Sequence, residues 1–389
     1  MEQASSSGSR VALKPTSNKF RRLGRWARAS PVSDSIVASW CGASISFLFS
    51  GSYLSIRTGE RTERKDSFNG GTPMIACTIS AYPRRKTGPG IDNDQVNTYD
   101  CGPSQEVILV DADTLITGAL PVRLTLTLVD WASVFGLDSL IVDSEDDVQA
   151  DTDDPPPVRV LAIGDSITAG YSDGSQPVPL GCLNAYPHVA RERIQTDTGT
   201  AIELELVAFP GITLVAPTLE ERDEGVGQGM IDKFFNVSQW SDEPANLDEQ
   251  PSIILIALGT NDDAQDVSPE RFASSMRTFI ERVLQAYRAS VKHICVLHPF
   301  PDFTEDSEFG SLETSEQVPI TRDLSSVLDA LRSVTEESVE FHEWNIGGDL
   351  RREHTMDGLH PTLSGHRTLG DTLARMVVPL LYRSGCVLT

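Results

Sequence analysis

The stretch VRVLAIGDSIT, residues 158–168, decides the fold of the second half of the chain. It begins with a short apolar run that only Arg159 interrupts, and Gly164, Asp165 and Ser166 follow directly. Such a run predicts a buried strand, and the glycine allows a sharp turn after it. In an open parallel sheet, polar residues in this position lie at the carboxyl edge, where these folds place their functional sites.

Three further apolar runs follow, at residues 202–207, 253–258 and 294–297. Between the last two, Ser268 is expected to cap and Pro269 to begin a helix with apolar residues at helical spacing. The alternation of strands and helices predicts an α/β domain whose parallel sheet is covered on both faces. The apolar stripes are Phe272, Met276, Phe279, Val283 and Tyr287 in that helix, and Leu369, Leu373, Met376 and Val377 in the last one.

The first half of the chain has the period of strands. In residues 44–56, apolar side chains alternate on one face up to a Ser-Gly-Ser turn, and the chain then returns, which predicts a hairpin. The alternation at 124–128 and the apolar run at 107–110 add further strands, and no helical period occurs before residue 145. These features predict an all-β sandwich of roughly 100 residues.

An acidic, proline-rich segment, EDDVQADTDDPPP at 145–157, separates the two halves. Acid runs and prolines neither bury a core nor continue a helix, so this segment is predicted to be a linker. The start of the chain is rich in Ser, Arg and Lys and is expected to be a disordered tail, with an organelle address or an incomplete start as alternatives. The predicted divisions are a tail at 1–24, a β-sandwich at 25–144, the linker, and an α/β domain at 158–389.

Composition limits the classes of partner. The chain has 389 residues and a formal net charge of -24 at pH 7. Its length favours two domains, and its charge argues against nucleic acid or an anionic membrane as the main partner, because both bind clustered Lys and Arg. No stretch approaches the roughly 20 apolar residues of a membrane span or forms a secretory signal, so a soluble protein is expected. The compartment and the oligomeric state stay open.

The six cysteines stand singly, without the CxxC pairs of a zinc ribbon or a redox site. They are expected to be mostly small core residues. Disulfides among Cys41, Cys77 and Cys101 stay open, because spacing alone does not choose a pairing. No metal site and no cofactor are predicted.

Ser166 is the candidate nucleophile. Its position after a buried strand would place the hydroxyl at the carboxyl edge of the sheet, at the start of a helix whose backbone N–H groups favour developing negative charge. The alternative is that Ser166 only caps that helix.

Gly259-Thr260-Asn261-Asp262 ends a later strand at the same edge. The Asn261 amide is a donor that does not ionise, so it can hold an oxyanion together with the backbone N–H groups of Ser166 and Gly211. Taken separately, Asn261 is also typical of a turn and Gly211 of a loop.

Asp357 precedes His360 by three residues, a spacing that lets one tight turn aim both side chains at the same place. His360 would take the proton from Ser166 and return it to the leaving alcohol, while Asp357 would fix the imidazole tautomer. Pro361 is expected to begin the final helix. An isolated Asp-His pair is also typical of a surface hydrogen bond or half a metal site, but no other cluster supplies further ligands at a recognisable spacing.

Three more residues are candidates for contact with substrate. His298 follows a strand at the same edge, and Trp240 and Trp344 lie where they could reach the cleft and stack on a sugar, with partial core burial as the alternative. The remaining histidines are expected to be structural or exposed. They are His188, His293, His342, His354 and His366.

Residues 158–385 resemble the SGNH, or GDSL-type, hydrolases, in which a serine, a glycine, an asparagine and a histidine occur in this order. The resemblance implies Ser166 as nucleophile, Gly211 and Asn261 as oxyanion donors, and Asp357 with His360 as the acid-base pair. It also implies a flavodoxin-like three-layer fold and ester hydrolysis without a cofactor.

The first half adds a narrower likeness. The segment WCGASISFLFSGS at 40–52, and 124–143 more loosely, resemble the jelly-roll-like β-sandwich that precedes the SGNH domain in family 2 carbohydrate esterases. That family removes acetyl groups from polysaccharides such as xylan, often with a Ser-His dyad, whereas Asp357 here offers a fuller triad. The missing secretion signal is a departure, because such an enzyme meets its substrate outside the cell.

The sequence therefore predicts a two-domain serine esterase that acts on acetylated carbohydrates. One alternative is a lipase or general short-chain esterase of the same type. Another, from a different class, is a carbohydrate-binding protein whose hydrolase domain is inert.

Overall fold

The computed structural model describes residues 9–67, 72–82, 94–114, 120–151, 157–172, 175, 177–216, 218, 228–247, 250–304, 319–335 and 339–383. The described chain forms an all-β sandwich followed by an α/β domain with a parallel sheet, which confirms the predicted fold class. None of its helices combines the length and the apolar character that crossing a bilayer requires.

Within the described residues, the sandwich is built from thirteen short strands in two sheets. The strands are β1 (Val11–Leu13), β2 (Arg21–Leu23), β3 (Trp26–Arg28), β4 (Ile36–Ala38), β5 (Ser44–Phe49), β6 (Leu54–Thr58), β7 (Glu63–Arg64), β8 (Ile75–Ala81), β9 (Gln95–Tyr99), β10 (Glu106–Val110), β11 (Val122–Leu128), β12 (Ser133–Val142) and β13 (Val148–Gln149). A single 3-10 turn, Glu145–Asp147, lies between the last two.

Each of the two sheets is antiparallel. One has the order β10-β6-β12-β4-β3, with β1 and β7 also paired to β12, and the other has the order β13-β5-β11-β8-β9, with β2 paired to β5. Alternate residues of the strands point into one apolar core, as the period of two requires. Phe47, Phe49 and Leu126 are examples of side chains buried there.

The predicted hairpin at 44–56 is wrong, although its two strands and its turn exist. β5 belongs to one sheet and β6 to the other, so the turn at 50–53 carries the chain across the sandwich. Both strands alternate apolar residues toward the shared core, and this pattern is the same whether two strands pair side by side or face each other across a core. The amphipathic period therefore could not distinguish the two arrangements.

Two predicted boundaries also change. Residues 1–8 lie outside the described residues, but 9–24 are not a disordered tail, because β1 pairs with β12 and β2 with β5. The predicted linker begins later than 145, because β13 pairs with β5. Residues 152–156 of that linker lie outside the described residues.

The α/β domain has five parallel strands and seven helices in the described chain. The sheet order is β15-β14-β16-β17-β18. The strands are β14 (Val158–Gly164), β15 (Ile202–Ala208), β16 (Ile253–Ala257), β17 (His293–Leu297) and β18 (Glu340–Trp344). The helices are α1 (Ser166–Ala169), α2 (Tyr186–Thr198), α3 (Met230–Lys233), α4 (Thr260–Ala264), α5 (Pro269–Tyr287), α6 (Leu324–Val334) and α7 (Leu363–Arg383), with 3-10 turns at Gly181–Asn184 and Arg352–His354.

The strand order determines where along the carboxyl edge of the sheet the candidate site lies. The first strand of the domain, β14, lies between β15 and β16, so successive strands are added on one side of β14 and then on the other, and the order reverses between β14 and β16. Open α/β sheets place their sites at such a switch point. The segments after these two strands carry Ser166 and Asn261.

The helix predicted to begin at Pro269 is confirmed, with Ser268 as its cap: the Ser268 hydroxyl accepts the Arg271 N–H. The last helix begins at Leu363 instead of Pro361, because Pro361 forms a bridge with Thr355. The sequence did not predict β18, whose composition is mostly polar.

The two domains share an apolar core. One cluster joins Cys41, Trp131 and Ala132 of the sandwich to side chains of β14, β15 and α7, and Trp40 packs into the core on the other face of the parallel sheet. The five cysteines within the described chain are free and buried, as expected for core residues, and Cys386 lies outside it.

Candidate active site

Ser166 follows β14 as the first residue of the single-turn helix α1. The cap is Asp165, whose carboxylate accepts the N–H of Ile167 at 3.0 Å, so the hydroxyl of Ser166 is not used as a cap. Gly164 is required for the close turn, because a Cβ at this position would lie 2.1 Å from the Thr168 hydroxyl. The turn holds a serine hydroxyl at the carboxyl edge of the sheet.

A continuous chain of hydrogen bonds joins Ser166, His360 and Asp357. The Ser166 Oγ lies 2.9 Å from His360 Nε2, and His360 Nδ1 lies 2.6 Å from Asp357 Oδ2. A carboxylate only accepts, so the imidazole proton lies on Nδ1 and Nε2 accepts the hydroxyl proton. This is the tautomer that a general base facing a serine requires.

The turn from 357 to 360 fixes this geometry. Asp357 Oδ1 accepts the N–H of Leu359 at 2.9 Å and the N–H of His360 at 2.7 Å, and Gly358 has a φ of 105°. Burial by itself would raise the pKa of Asp357, but the hydrogen bonds from the His360 imidazole and from these two N–H groups outweigh it and lower the pKa below 3.8. The carboxylate therefore stays ionised at neutral pH.

Asn261 and Gly211 lie on segments that meet at the same edge. The Asn261 Nδ2 donates to the carbonyl of Ile212 at 3.0 Å, which ties α4 to the loop that carries Gly211. Gly211 has a φ of 74°, a conformation that favours glycine. A side-chain amide has two hydrogens, so the bond to Ile212 orients the group and leaves its second hydrogen for another acceptor.

Asp262 anchors this loop and was not singled out by the sequence analysis. Its buried carboxylate accepts the N–H of Leu214 through both oxygens, at 3.0 and 2.8 Å, and the N–H of Val215 at 3.3 Å. Burial raises its pKa to about 7 in spite of these donors. The only sequence signal was its position next to Asn261.

Asp165 is a second buried carboxyl at this edge. Burial raises its pKa to about 6, while the N–H of Ile167 and the nearby His360 act in the opposite direction. The site therefore contains two carboxyls whose environment favours the neutral form, and one, Asp357, whose environment favours the charged form.

One aromatic side chain packs against the imidazole, and further aromatic residues continue from it. Tyr171 lies with its ring centroid 4.6 Å from that of His360, and Trp131 of the sandwich lies 6.2 Å from Tyr171 and 5.4 Å from Phe209. Phe209 contacts Trp240 edge to face at 5.8 Å. Trp240 is 38% exposed, so it offers a ring to solvent beside the loop of Gly211. No local sequence pattern indicated Tyr171 or Trp131.

The other two predicted substrate contacts are engaged elsewhere. His298 Nε2 lies 2.8 Å from Glu343, and its backbone N–H donates to the carbonyl of Trp344. Trp344 is partly buried against the core and packs near His342. Among the contacts of the described residues, none joins His298 or Trp344 to Ser166 or His360.

The remaining histidines differ in their surroundings. His188 and His366 are buried, and burial lowers the pKa of both, to about 3 for His366. His366 Nδ1 accepts the N–H of Tyr186 at 3.2 Å, a structural role. His293 and His342 lie together at the opposite edge of the sheet.

The model of the GDSL-like lipase/acylhydrolase family matches residues 162–368. A comparison with curated protein sequences finds no match.

Several solved structures have the same two-part architecture. An active-site mutant of a family two carbohydrate esterase from Clostridium thermocellum is 15% identical, with 95% of this chain and 99% of that chain covered and a TM-score of 0.65. A family two carbohydrate esterase from Cellvibrio japonicus is 16% identical, with 96% and 97% covered and a TM-score of 0.62. The acetyl xylan esterase Est2A from the rumen bacterium Butyrivibrio proteoclasticus is 14% identical, with 97% and 99% covered and a TM-score of 0.63. At these identities the likeness establishes the fold.

Proposed function

The chain belongs to the GDSL-like lipase/acylhydrolase family and is a carboxylic ester hydrolase, and from this premise we propose that it removes O-acetyl groups from carbohydrates. The substrate class is an acetylated polysaccharide or oligosaccharide of the xylan type. The observation that carries the chemistry is the hydrogen-bonded chain from Ser166 through His360 to Asp357.

In the proposed reaction, His360 Nε2 takes the hydroxyl proton as the Ser166 oxygen bonds to the acetyl carbonyl carbon. The tetrahedral intermediate then collapses, and the protonated His360 gives its proton to the departing sugar oxygen. A water molecule, deprotonated by His360, then attacks the carbonyl carbon of the acetyl-serine; the bond between that carbon and the Ser166 oxygen breaks, His360 returns the proton to Ser166, and acetate leaves. Asp357 remains ionised throughout and stabilises the transient imidazolium.

The carbonyl oxygen becomes negative in the tetrahedral intermediate. We assign its stabilisation to the backbone N–H groups of Ser166 and Gly211 and to the side-chain amide of Asn261. The bond from Asn261 to the Ile212 carbonyl supports this assignment, because it fixes the amide before substrate arrives. Preorganised donors need no rearrangement during the reaction.

The carbohydrate part of the proposal is supported by the fold shared with family two carbohydrate esterases and by the exposed ring of Trp240. An exposed indole beside an ester-cleaving centre provides a flat apolar face for a sugar ring. We propose Trp240 as a substrate contact. His298 and Trp344 make their contacts with Glu343 and with core residues, so the proposed sugar contact is assigned to Trp240.

Labelling tests the nucleophile directly. We expect a serine-directed organophosphonate to modify Ser166, located by peptide mapping, and the Ser166→Ala variant to take no label. Ser166→Ala and His360→Ala should each lower kcat by about three orders of magnitude or more, because either loss removes nucleophilic attack. Ser274→Ala, on the exposed face of α5, is the matched control. Label at another serine would contradict the assignment.

Substrate profiling separates the acetyl carbohydrate from the alternatives. Acetylated xylan and sugar acetates are compared with nitrophenyl esters of increasing chain length. Faster turnover of long acyl chains would favour a lipase of the same family. Binding of xylan without release of acetate, and without labelling of Ser166, would favour the carbohydrate-binding protein.

A further inference from the structure

We propose a zinc site formed by His293, Glu340 and His342, at the end of the parallel sheet opposite to Ser166. The three facing atoms are His293 Nδ1, His342 Nε2 and a carboxylate oxygen of Glu340. The two nitrogens are 3.3 Å apart, and the Glu340 oxygen lies 3.8 Å from the first and 3.7 Å from the second. This proposal is independent of the ester chemistry.

The distances match the coordination sphere of zinc. The three separations leave one point about 2.1 Å from every ligand atom, in the plane of the three atoms, and zinc binds histidine nitrogen and carboxylate oxygen at about 2.0–2.2 Å. Two bonds of that length at the tetrahedral angle place their ligand atoms about 3.3 Å apart, as the imidazoles already are. For a tetrahedral centre the Glu340 oxygen would have to move by a few tenths of an ångström, which a small rotation of its half-exposed side chain supplies.

Strand register brings the ligands together. β17 and β18 pair in parallel, with His293 beside Glu340 and Cys295 beside His342. Residues at i and i+2 of a strand share a face, so Glu340 and His342 project to the same side. The sequence contains the EFH segment of β18 but no nearby third ligand, and only the pairing of strands supplies His293.

Burial and ligand type favour a transition metal. His293 is buried, His342 is largely buried, and Glu340 reaches solvent. Two imidazoles and one carboxylate suit zinc better than calcium or magnesium, which prefer oxygen ligands. The solvent side of Glu340 leaves the fourth position to water. Both facing nitrogens must be unprotonated for binding, so each imidazole would carry its proton on the other nitrogen.

The proposed zinc site would stabilise β18, the edge strand of the parallel sheet. β18 pairs only with β17 among the described strands, and a metal shared by the two would join them at their amino ends. His293 is level with Val160 across the sheet, four residues before the end of β14 at Gly164. The zinc site is therefore roughly 13 Å along the strands from the edge that carries Ser166. The metal would therefore stabilise the sheet and take no part in the reaction at Ser166.

The test uses the full chain after dialysis against a chelator. Titration calorimetry with Zn²⁺ should show one equivalent bound, and saturation should raise Tm by about 3 °C or more. Co²⁺ in the same site should give the visible absorption of a tetrahedral centre. Glu340→Gln keeps the shape of the half-exposed side chain, so it should fold, bind Zn²⁺ at least tenfold more weakly and lose the Tm rise. His342→Gln should do the same.

Two controls make the outcome decisive. His354→Gln removes a histidine outside the cluster and should bind Zn²⁺ as the unmodified protein does. His360→Gln removes the histidine that pairs with Asp357 at the active site and should also bind Zn²⁺ normally. The proposal is overturned if Zn²⁺ does not bind in one equivalent, if Glu340→Gln binds as tightly as the unmodified protein, or if His360→Gln abolishes binding. If Zn²⁺ does not bind in one equivalent, the interaction between His293 and His342 is only a hydrogen bond.

Discussion

The carboxylate of Asp357 is about half exposed, yet three hydrogen bonds hold it in one orientation. Two come from backbone N–H groups of its own turn, so the polypeptide aims the carboxylate without help from another element. The low pKa follows from these donors and keeps the acceptor charged. Exposure therefore does not argue against a role in orienting His360.

We expect Asp357→Asn to lower kcat by about 10³–10⁴-fold with little change in KM. The asparagine oxygen can still accept the two backbone N–H groups, but its NH₂ would face His360 Nδ1 and force the imidazole proton onto Nε2. That nitrogen would then be unable to accept the Ser166 proton. Steady-state kinetics on a soluble acetate ester measures this, with Asp349→Asn as an exposed control. Near-normal activity would reduce the site to a Ser-His dyad.

Asn261 provides a second test at this scale. Asn261→Ala should lower kcat by about 10²–10³-fold, because it removes one donor to the oxyanion. The substitution also removes the hydrogen bond to the carbonyl of Ile212. Unchanged KM and far-ultraviolet circular dichroism would show that the loss of kcat does not come from a change in structure. Asn261→Asp should be worse than Asn261→Ala, because it puts a negative charge beside the developing oxyanion. Equal losses in the two variants would argue against the oxyanion role.

At the scale of elements, the site depends on the connection between α4 and the loop after β15. Asn261 holds Ile212 and Asp262 holds Leu214 and Val215, so two consecutive side chains fix the loop that carries Gly211. The buried Asp262 also makes this connection sensitive to pH, because its pKa is raised to about 7.

A raised carboxyl pKa means that the folded state holds the proton more tightly than the unfolded chain. The contribution of Asp262 to stability is therefore complete below pH 3.8 and is lost as pH rises through about 7. We expect Asp262→Asn to flatten the pH dependence of the unfolding free energy between pH 4 and 7, by as much as about 1 kcal/mol per pH unit. Urea denaturation at several pH values measures the slope. The exposed Asp371→Asn should leave it unchanged, and an unaltered slope in Asp262→Asn would contradict the expectation.

The sequence predicted the elements whose patterns are local. The four apolar strands, the cap at Ser268 and the turn at Gly164 depend on residues close in the chain, and all were recognised. β18 was missed because its residues are mostly polar, and the pairing of β5 and β6 was wrong because a shared core gives the same alternation as a hairpin. The contacts of Tyr171 and Asp262 depend on how distant segments meet, which no local pattern encodes.

At the scale of the whole molecule, the sandwich and the α/β domain are joined by buried contacts. Arg25 of the sandwich pairs with Glu205 of β15 at 3.3 Å, with side chains only 1% and 7% exposed. The guanidinium also donates to the carbonyl of Asn236 at 3.1 Å and lies over the ring of Phe234 at 4.4 Å. Burial raises the pKa of Glu205, and Arg25 offsets only part of this effect. Together with the shared apolar core, this pair predicts that the two domains unfold together.

Glu205→Ala tests this coupling, because it leaves the Arg25 charge buried without its partner. We expect the unfolding free energy to fall by about 3–5 kcal/mol. The double variant Arg25→Met with Glu205→Leu should recover most of the loss, since apolar side chains of similar volume remove both buried charges. Glu281→Ala breaks an exposed pair with Arg277 and should cost less than about 1 kcal/mol.

Urea denaturation followed by tryptophan fluorescence and circular dichroism should give one coincident transition in every variant. Two separate transitions, with only one shifted by Glu205→Ala, would show that the domains fold independently and that the sandwich does not stabilise the site through this interface.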